Sequence, residues 1–215
     1  MIQTLLSKNC YFVTGIDTDA GKTCVTGYLS RLLLQEGVNV ITQKLIQTGD
    51  SGISEDIRLH RQIEGRPLQA PDLDHTTCPL IYSYPCSPHM ALSIDGKKPQ
   101  YDLATQSTQA LLAKYDKVLI EGAGGLMVPL TQDYLTIDYI QSQRLSVILV
   151  TTAKLGSINH TLLNLEVLQN REIPVALVVY NTGIQTDPRI TADTQDYLQR
   201  HISVPLITCP TLDLH

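Results

Sequence analysis

The feature that most restricts the fold of this chain is a loop between an apolar run and an amphipathic helical pattern. The run covers Tyr11 to Thr14, the loop covers Gly15 to Thr23 and reads Gly-Ile-Asp-Thr-Asp-Ala-Gly-Lys-Thr, and the helical pattern continues to Gln35. A strand, a loop ending in Gly-Lys-Thr and a helix form the frame of a Walker A phosphate-binding loop. The alternative is an ordinary turn before a capped helix, but this context favours a nucleotide site.

Two residues of the loop have defined roles in this interpretation. Backbone N–H groups and the positive end of the helix dipole receive phosphate oxygens. Lys22 would contact the β- and γ-phosphates, and the hydroxyl of Thr23 would ligate Mg²⁺. Five residues separate Gly15 from Gly21, where the usual pattern has four. The extra residue points to a particular subgroup of such loops.

Apolar runs alternate with helical patterns along most of the chain. Strands are predicted at Tyr11 to Thr14, Val38 to Gln43, Lys117 to Ile120, Ser146 to Val150, Pro174 to Val179 and Leu206 to Thr208. Helices are predicted at Gly21 to Gln35, Glu55 to Glu64, Tyr101 to Lys114, Ile158 to Asn170 and Ile190 to His201. Continuous apolar strands are typical of parallel sheets covered on both faces. The pattern predicts one α/β domain over residues 1–215, with a doubly wound, mostly parallel sheet and helices on both faces.

Two glycine positions mark changes in this pattern. Gly37 stands where a glycine commonly ends a helix. From Gly65 to Pro99 the alternation stops, prolines are frequent, and no long periodic segment occurs. A loop of this length in a compact domain is usually functional or mobile.

Acidic residues at two strand ends are candidate metal ligands. Glu121 directly follows a buried strand and precedes a glycine-rich turn, so it would lie at the ligand-binding edge of the sheet. Mg²⁺ favours a few carboxylates together with phosphate and water oxygens. Asp56 and its neighbour Glu55 begin a helix, where N-terminal capping is as good an explanation as metal binding for either residue. Lys44 ends the second strand and would either stand beside the phosphates or be a solvated surface lysine.

Composition excludes several function classes. The net charge is −5 and no Lys/Arg cluster occurs, which argues against nucleic acid as a partner. No apolar stretch reaches the roughly 18 residues of a membrane span, so no membrane partner is expected. Five cysteines are scattered without a Cys-x-x-Cys pair, as expected of reduced thiols in the cytoplasm.

The motifs together resemble those of the dethiobiotin synthetase family. The resemblance rests on YFVTGIDTDAGKT, Lys44 followed by Thr48-Gly49, Ser87-Pro88-His89, VLIEGAGGLMVPL, AKLGSINHTLL and Asn181, in the family's order. It implies a P-loop NTPase fold and a cytoplasmic homodimer with the substrate site at the subunit interface. It also implies that 7,8-diaminopelargonic acid, CO₂ and ATP are converted to dethiobiotin, ADP and phosphate.

The resemblance further implies roles for individual residues. Catalytic roles fall to Lys22, Lys44 and Thr18, and Mg²⁺ ligation falls to Thr23, Asp56 and Glu121. Nucleotide contacts fall to Gly15, Asp19, Ala20, Gly21, Lys22, Thr23, Cys24, Glu121, Gly122, Gly124 and Asn181. Substrate contacts fall to Thr48, Ala123 and Asn159, the last from the partner subunit. From residue type and position alone, Asn159 is equally a helix cap and Asn181 equally a turn residue.

Departures from the family pattern leave alternatives open. Leu45 and Thr48 stand where the family often has proline and serine. The given chain ends five residues after Pro210, and for this reason poor discrimination among nucleoside triphosphates is expected. One alternative is a related P-loop ligase or kinase with another small amine or carboxylate as substrate. Another is a partition-type ATPase, although those carry an early loop lysine where this chain has Ile16 and Asp17.

Overall fold

A computed structural model describes residues 2–184 and 187–212. Strands and helices alternate along the chain. The elements are α1 (Ile2–Leu6), β1 (Cys10–Gly15), α2 (Lys22–Gln35), β2 (Val40–Lys44), β3 (Gln47–Thr48), α3 (Glu55–Glu64), α4 (Ala70–Leu73), β4 (Ile81–Tyr82), α5 (Pro88–Ile94), α6 (Tyr101–Leu112), β5 (Lys117–Glu121), α7 (Thr136–Ser142), β6 (Ser146–Thr152), α8 (Ser157–Asn170), β7 (Val175–Asn181), α9 (Pro188–His201) and β8 (Leu206–Cys209). A 3₁₀ turn, Thr18–Ala20, lies between β1 and α2.

The central sheet of the described residues has six strands in the order β2-β5-β1-β6-β7-β8, and every pairing is parallel. The chain leaves β1 toward β2 on one side and later returns to add β6, β7 and β8 on the other. The predicted doubly wound α/β fold is therefore confirmed. Ligands of such sheets bind at the carboxyl ends of the strands, where the strand order reverses.

Both faces of the sheet are covered by apolar side chains, because neighbouring strand residues point to opposite faces. On one face, Val13 and Val40 pack with Val25 and Leu29 of α2. On the other face, buried residues of β1, β2 and β5 pack with residues of α6, α7 and α8, namely Phe12, Ile41, Val118, Ala104, Leu111, Ile140 and Leu168. The long apolar runs in the sequence are thus explained by burial on both sides.

The second strand begins later than predicted because α2 and its C-terminal turn extend further along the chain. Gly37 has φ of +79°, and the N–H of Val38 donates to the carbonyl of Leu33, which closes the helix as expected. Val38 therefore belongs to the helix end, and β2 runs from Val40 to Lys44 rather than from Val38 to Gln43. The other predicted strands and helices are found with ends that differ by up to two residues.

The stretch from Gly65 to Pro99 is not a structureless loop, in contrast to the prediction. It contains α4, β4 and α5, with prolines in the first turns of both helices, where a missing N–H is tolerated. β4 pairs in parallel with β3, which precedes it by about thirty residues, since Gln47 is the partner of Ile81. These elements are too short to give a periodic signal. The same is true of α1 and α7, which were not predicted.

A buried ion pair anchors this stretch to the sheet. Nε and Nη2 of Arg61 in α3 each donate to the carboxylate of Asp72 at 2.9 Å, and Nη1 donates to Glu64. Arg61 is 2% exposed.

In the described part of the chain, no helix is long and apolar enough to cross a membrane.

Candidate active site

The carboxyl ends of β1, β2, β5 and β7 meet at a cavity of about 660 Å³. Its wall combines the loop after β1, the ends of β2 and β5, the start of α3 and the residues after β7 and β8. The lining residues are Thr18, Asp19, Gly21, Lys22, Thr23, Cys24, Lys44, Ile46, Gln47, Thr48, Asp56, Leu59, Glu121, Ala123, Gly124, Asn181, Gly183, Ile184, Pro210, Thr211 and Leu212. The cavity lies where ligands of doubly wound sheets bind.

The loop after β1 folds around its own lysine. Nζ of Lys22 donates to the carbonyls of Asp17 and Thr18 at 3.1 and 3.0 Å. Burial lowers the pKa of Lys22 to about 8, with Glu121 opposing and Lys44 adding to this effect. A buried ammonium that is held only by carbonyls is a strong binding partner for a phosphate anion.

Asn181 joins the end of β7 to the start of α2. Its Nδ2 donates to the carbonyl of Ala20 at 3.0 Å, and its Oδ1 accepts from the N–H of Gly183 at 2.9 Å. Gly21 has φ of +80°, and a Cβ at this position would lie 2.1 Å from Nδ2 of Asn181. The loop therefore needs glycine here for both its conformation and this close approach.

Three oxygen-bearing side chains converge beside the loop. Oγ1 of Thr23 lies 3.0 Å from both Oδ1 of Asp56 and Oε1 of Glu121. Glu55 is exposed, and α3 is capped by Ser54, whose Oγ accepts from Ile57. Neither acidic residue caps the helix, and only Asp56 turns into the cavity. Position in the sequence alone left this choice open, and the family resemblance assigned it to Asp56.

Lys44 lies between the two carboxylates. Its Nζ donates to Oε1 of Glu121 at 2.8 Å and to the carbonyl of Gly122 at 3.3 Å, and it also contacts Asp56. Burial alone would lower the pKa of Lys44, but the two carboxylates outweigh it and raise that pKa. Burial alone would likewise raise the pKa of Glu121, but Lys44 and a hydrogen bond from His60 hold it well below its usual range. Lys44 is therefore a buried cation, not a solvated surface lysine.

The donor set fits a magnesium ion bound together with a nucleotide. A hydroxyl and two carboxylates supply oxygen ligands, and the ammonium of Lys44 already lies against both carboxylates, which shows that positive charge is favoured there. Residues 2–184 and 187–212 contain no group of three or more His, Cys, Asp or Glu residues that could hold a metal. Mg²⁺ typically completes such a small protein set with phosphate and water oxygens.

Most residues singled out in the sequence line this cavity. Gly15, Ala20 and Gly122 are not among the lining residues, although Ala20 and Gly122 directly adjoin them in the chain. A Cβ on Gly122 would lie 2.8 Å from the ring of Phe12. Asn159 is exposed on α8 and does not line the cavity of its own chain.

Some lining and supporting residues were not predicted. Pro210, Thr211 and Leu212 line the cavity, although the tail was expected to contribute little. His60 contacts Glu121, but no motif includes it. One helix turn separates His60 from Asp56, and this spacing was its only signal.

The geometry is that of a P-loop enzyme, and comparisons with known proteins identify the family. Residues 9–210 match the family described as AAA domain. An ATP-dependent dethiobiotin synthetase BioD 2 of Haemophilus ducreyi is 51% identical, with 89% of this chain and 90% of the relative covered. The chain belongs to the dethiobiotin synthetase family. A second member, BioD 2 of Pasteurella multocida, is 47% identical over the same shares of the two chains. BioD of Chlorobaculum tepidum is also 47% identical and covers 86% of this chain and 78% of its own.

Solved structures show the same fold at much lower identity. A ParA family ATPase from Chlorobium tepidum has a TM-score of 0.55 at 18% identity, with 96% of this chain and 86% of the other covered. The signal recognition particle receptor FtsY from Elizabethkingia anophelis, in complex with GDP, has a TM-score of 0.58 at 16% identity, with 94% and 57% covered. At these identities the likeness concerns the fold alone.

Proposed function

We propose that this chain catalyses the ATP- and Mg²⁺-dependent conversion of 7,8-diaminopelargonic acid and CO₂ to dethiobiotin, ADP and phosphate. The observation that carries the proposal is the convergence of Lys22, Thr23, Lys44, Asp56 and Glu121 on one cavity. Membership of the dethiobiotin synthetase family supports the same activity. The partition-type alternative has no support beyond the shared fold.

The reaction requires no covalent attachment to the protein. One substrate amine takes up CO₂ and releases a proton to give a carbamate. A carbamate oxygen attacks the γ-phosphorus of ATP, the bond to ADP breaks, and a carbamic–phosphoric anhydride remains. The second amine attacks the carbamate carbon, loses a proton and expels phosphate, which closes the cyclic urea. Negative charge lies on phosphate and carbamate oxygens throughout, so positioned cations and N–H donors are the catalytic groups needed.

Different residues of the cavity would serve different parts of this reaction. Lys22, with its ammonium held among loop carbonyls, would bind the transferring phosphate, and Lys44 would face the carbamate. Thr23, Asp56 and Glu121 would hold Mg²⁺, which supplies positive charge to the phosphate oxygens when bound. Thr18 lines the cavity at the loop and would contact both reactants.

The remaining assignments concern the substrate and the assembly. Thr48, Ala123 and Gly124 line the cavity and would contact the carbamate and the diamine. Asn159 is exposed, which agrees with a role toward a second copy of the chain in a homodimer. Five free cysteines in the described residues agree with a cytoplasmic protein. Asn181 would approach the base, although its side chain already binds Ala20 and Gly183.

The decisive experiment measures dethiobiotin formation from the diamine, bicarbonate and ATP. Lys22→Ala should lower the rate by on the order of 10² to 10⁴ because it removes a preorganised cation at the phosphates. Lys98→Ala is the matched control, since Lys98 is exposed and outside the cavity lining, and it should leave the rate unchanged. ATP turnover that needs neither diamine nor bicarbonate would reject the proposed reaction.

A further inference from the structure

The side chain of His60 is a buried group next to the cavity that the proposed function leaves without a role. It is 0% exposed and lies on α3, one helix turn after Asp56, so both side chains are on the same side of the helix. α3 packs on the sheet face that carries Thr42, Lys44 and Glu121. A buried imidazole needs partners for both ring nitrogens.

Both nitrogens have partners, and these partners assign the tautomer. Nε2 lies 2.7 Å from Oε2 of Glu121, and Nδ1 lies 3.0 Å from Oγ1 of Thr42. A carboxylate only accepts hydrogen bonds, so the proton is assigned to Nε2. The hydroxyl of Thr42 accepts from Nη1 of Arg61 at 2.9 Å and is therefore free to donate to Nδ1. Arg61, Thr42, His60 and Glu121 form one chain of hydrogen bonds with a consistent direction.

These hydrogen bonds give the two carboxylate oxygens of Glu121 different partners. Oε2 is held by His60, whereas Oε1 contacts Thr23 and Lys44 at the cavity wall. Rotation of the carboxylate would break the contact with His60 and leave a buried N–H without a partner. Glu121 therefore presents a single oxygen to the cavity in a fixed direction.

We propose that His60 is a positioning residue, which holds Oε2 of Glu121 so that Oε1 alone serves as a one-oxygen ligand for Mg²⁺. The inference rests on the proposed function, in which Glu121 is a metal ligand. Mg²⁺ requires near-octahedral geometry, so a carboxylate that is fixed in one orientation and binds through one oxygen suits it. Residues that orient metal ligands typically affect metal affinity or activity by about 10- to 100-fold.

Two substitutions separate positioning from packing. In His60→Gln, the amide nitrogen reaches the place of Nε2 and keeps the donor to Glu121. In His60→Asn, the shorter amide reaches only the place of Nδ1, so the contact with Thr42 is kept and the donor to Glu121 is lost. Both variants disturb the packing of α3, but only His60→Asn frees the carboxylate.

The measurement is the Kd of ADP in EDTA divided by the Kd of ADP with Mg²⁺. A larger ratio means that the metal contributes more to binding. We expect His60→Asn to reduce this ratio by about ten-fold or more, and His60→Gln to keep it within roughly three-fold of the wild type. The Kd in EDTA should stay the same in both, because the loop binds phosphate without Glu121. Equal ratios in the two variants would overturn the proposal.

A double-substitution test distinguishes failure of this inference from failure of the proposed function. Glu121→Gln should reduce the ratio by itself, and adding His60→Asn should then have no further effect. If Glu121→Gln has no effect, both the metal assignment and the role of His60 are overturned. If Glu121→Gln acts but His60→Asn does not, only the role of His60 is overturned. Should His60→Asn fail to fold, His60→Leu also removes the donor to Glu121 and is expected to lower the ratio in the same way, and an unchanged ratio would contradict the proposal.

Discussion

At the scale of single residues, Lys44 connects the two carboxylates of the candidate metal site. The side chain of Glu121 is 0% exposed and that of Asp56 is 25% exposed, and Lys44 provides the cation that both contact. The same ammonium would face the carbamate during the reaction. Its removal should therefore affect stability, metal binding and chemistry in different directions.

Lys44→Gln should lower kcat far more than it raises the KM for ATP, because the lost charge acts on the reacting oxygens. It should also increase the affinity of the nucleotide-free protein for Mg²⁺, by about ten-fold, since a neighbouring positive charge is removed. Stability without divalent cations should fall by about 3 kcal/mol, because buried charge loses its partner. Steady-state kinetics, metal titration and urea unfolding measure the three effects. Lys98→Gln is the control, and an unchanged Mg²⁺ affinity in Lys44→Gln would contradict the assignment.

Cys78 gives a prediction about pH. Burial raises the pKa of this thiol from 9.0 to about 12, although Lys44 and a hydrogen bond with Ser54 oppose the shift. Between pH 9 and about pH 12, the Cys78 thiol is deprotonated in the unfolded chain and protonated in the folded chain. The stability contribution of Cys78 is therefore constant below about pH 9 and falls as the pH rises above it. The advantage of the wild type over Cys78→Ala should therefore shrink by about 1.4 kcal/mol per pH unit above that point. Urea unfolding in the presence of a reductant measures it. Thr161→Val removes a buried hydroxyl that bonds only to Thr151 and the carbonyl of Ser157, and it should give a difference from the wild type that does not vary with pH.

At the scale of elements, α2 is bounded by two glycines with nearly the same backbone conformation and different surroundings. Gly21 has φ of +80° and Gly37 has φ of +79°. A Cβ on Gly21 would meet Asn181, whereas a Cβ on Gly37 would meet no atom within 4 Å. The start of the helix is therefore restricted by packing as well as by conformation.

Alanine at each glycine separates the two restrictions. Gly37→Ala should cost about 1 kcal/mol of stability through its left-handed backbone and leave ADP affinity unchanged. Gly21→Ala has the same backbone cost and also displaces Asn181, so ADP affinity should fall by about ten-fold or more, or ~1.4 kcal/mol. Calorimetric titration with ADP and urea unfolding measure both quantities. Equal ADP affinities in the two variants would show that Asn181 does not support the loop.

The elements also show which parts of the fold the sequence could predict. Long apolar strands such as β6 and long amphipathic helices such as α2 have a periodic signal of their own, so they were found. β3 and β4 are two residues each and exist because they pair with each other, which depends on the tertiary fold. In the candidate site, the positions of Lys22 and Glu121 could be predicted because their motifs fix them relative to strand ends, and both line the cavity. His60 was missed because its contact with Glu121 depends on α3 packing against β2, for which the sequence has no motif.

At the scale of the whole molecule, the pair of Arg61 and Asp72 connects the stretch from Gly65 to Pro99 with the central sheet. Thr77 also donates to Asp72, at 2.8 Å, and Arg61 donates to Thr42 of β2. Burial tends to lower the pKa of Arg61, but its carboxylate partners outweigh this and raise it. Since Thr42 also contacts His60, this anchor is continuous with the wall of the cavity.

Asp72→Asn should destabilise the protein by about 3 kcal/mol, because a buried guanidinium loses a charged partner. Asp196→Asn is the matched control: it breaks an ion pair with Arg200 on the exposed surface of α9, and it should change stability by less than about 0.5 kcal/mol. The free energy of unfolding in urea measures both. Similar losses in the two variants would contradict the structural role of the buried pair.

The pairing of β2 with β5 has a consequence for how enzymes of this architecture can diverge. Lys44 and Glu121 are direct Cα partners in the ladder, so backbone hydrogen bonds set the spacing of the two opposite charges. A slip of one residue would turn one of the two side chains to the opposite face of the sheet. The loops that follow the strands are under no such restriction. Substitutions in these loops can therefore change which substrate is bound, while the pairing of β2 with β5 keeps the spacing of Lys44 and Glu121 the same.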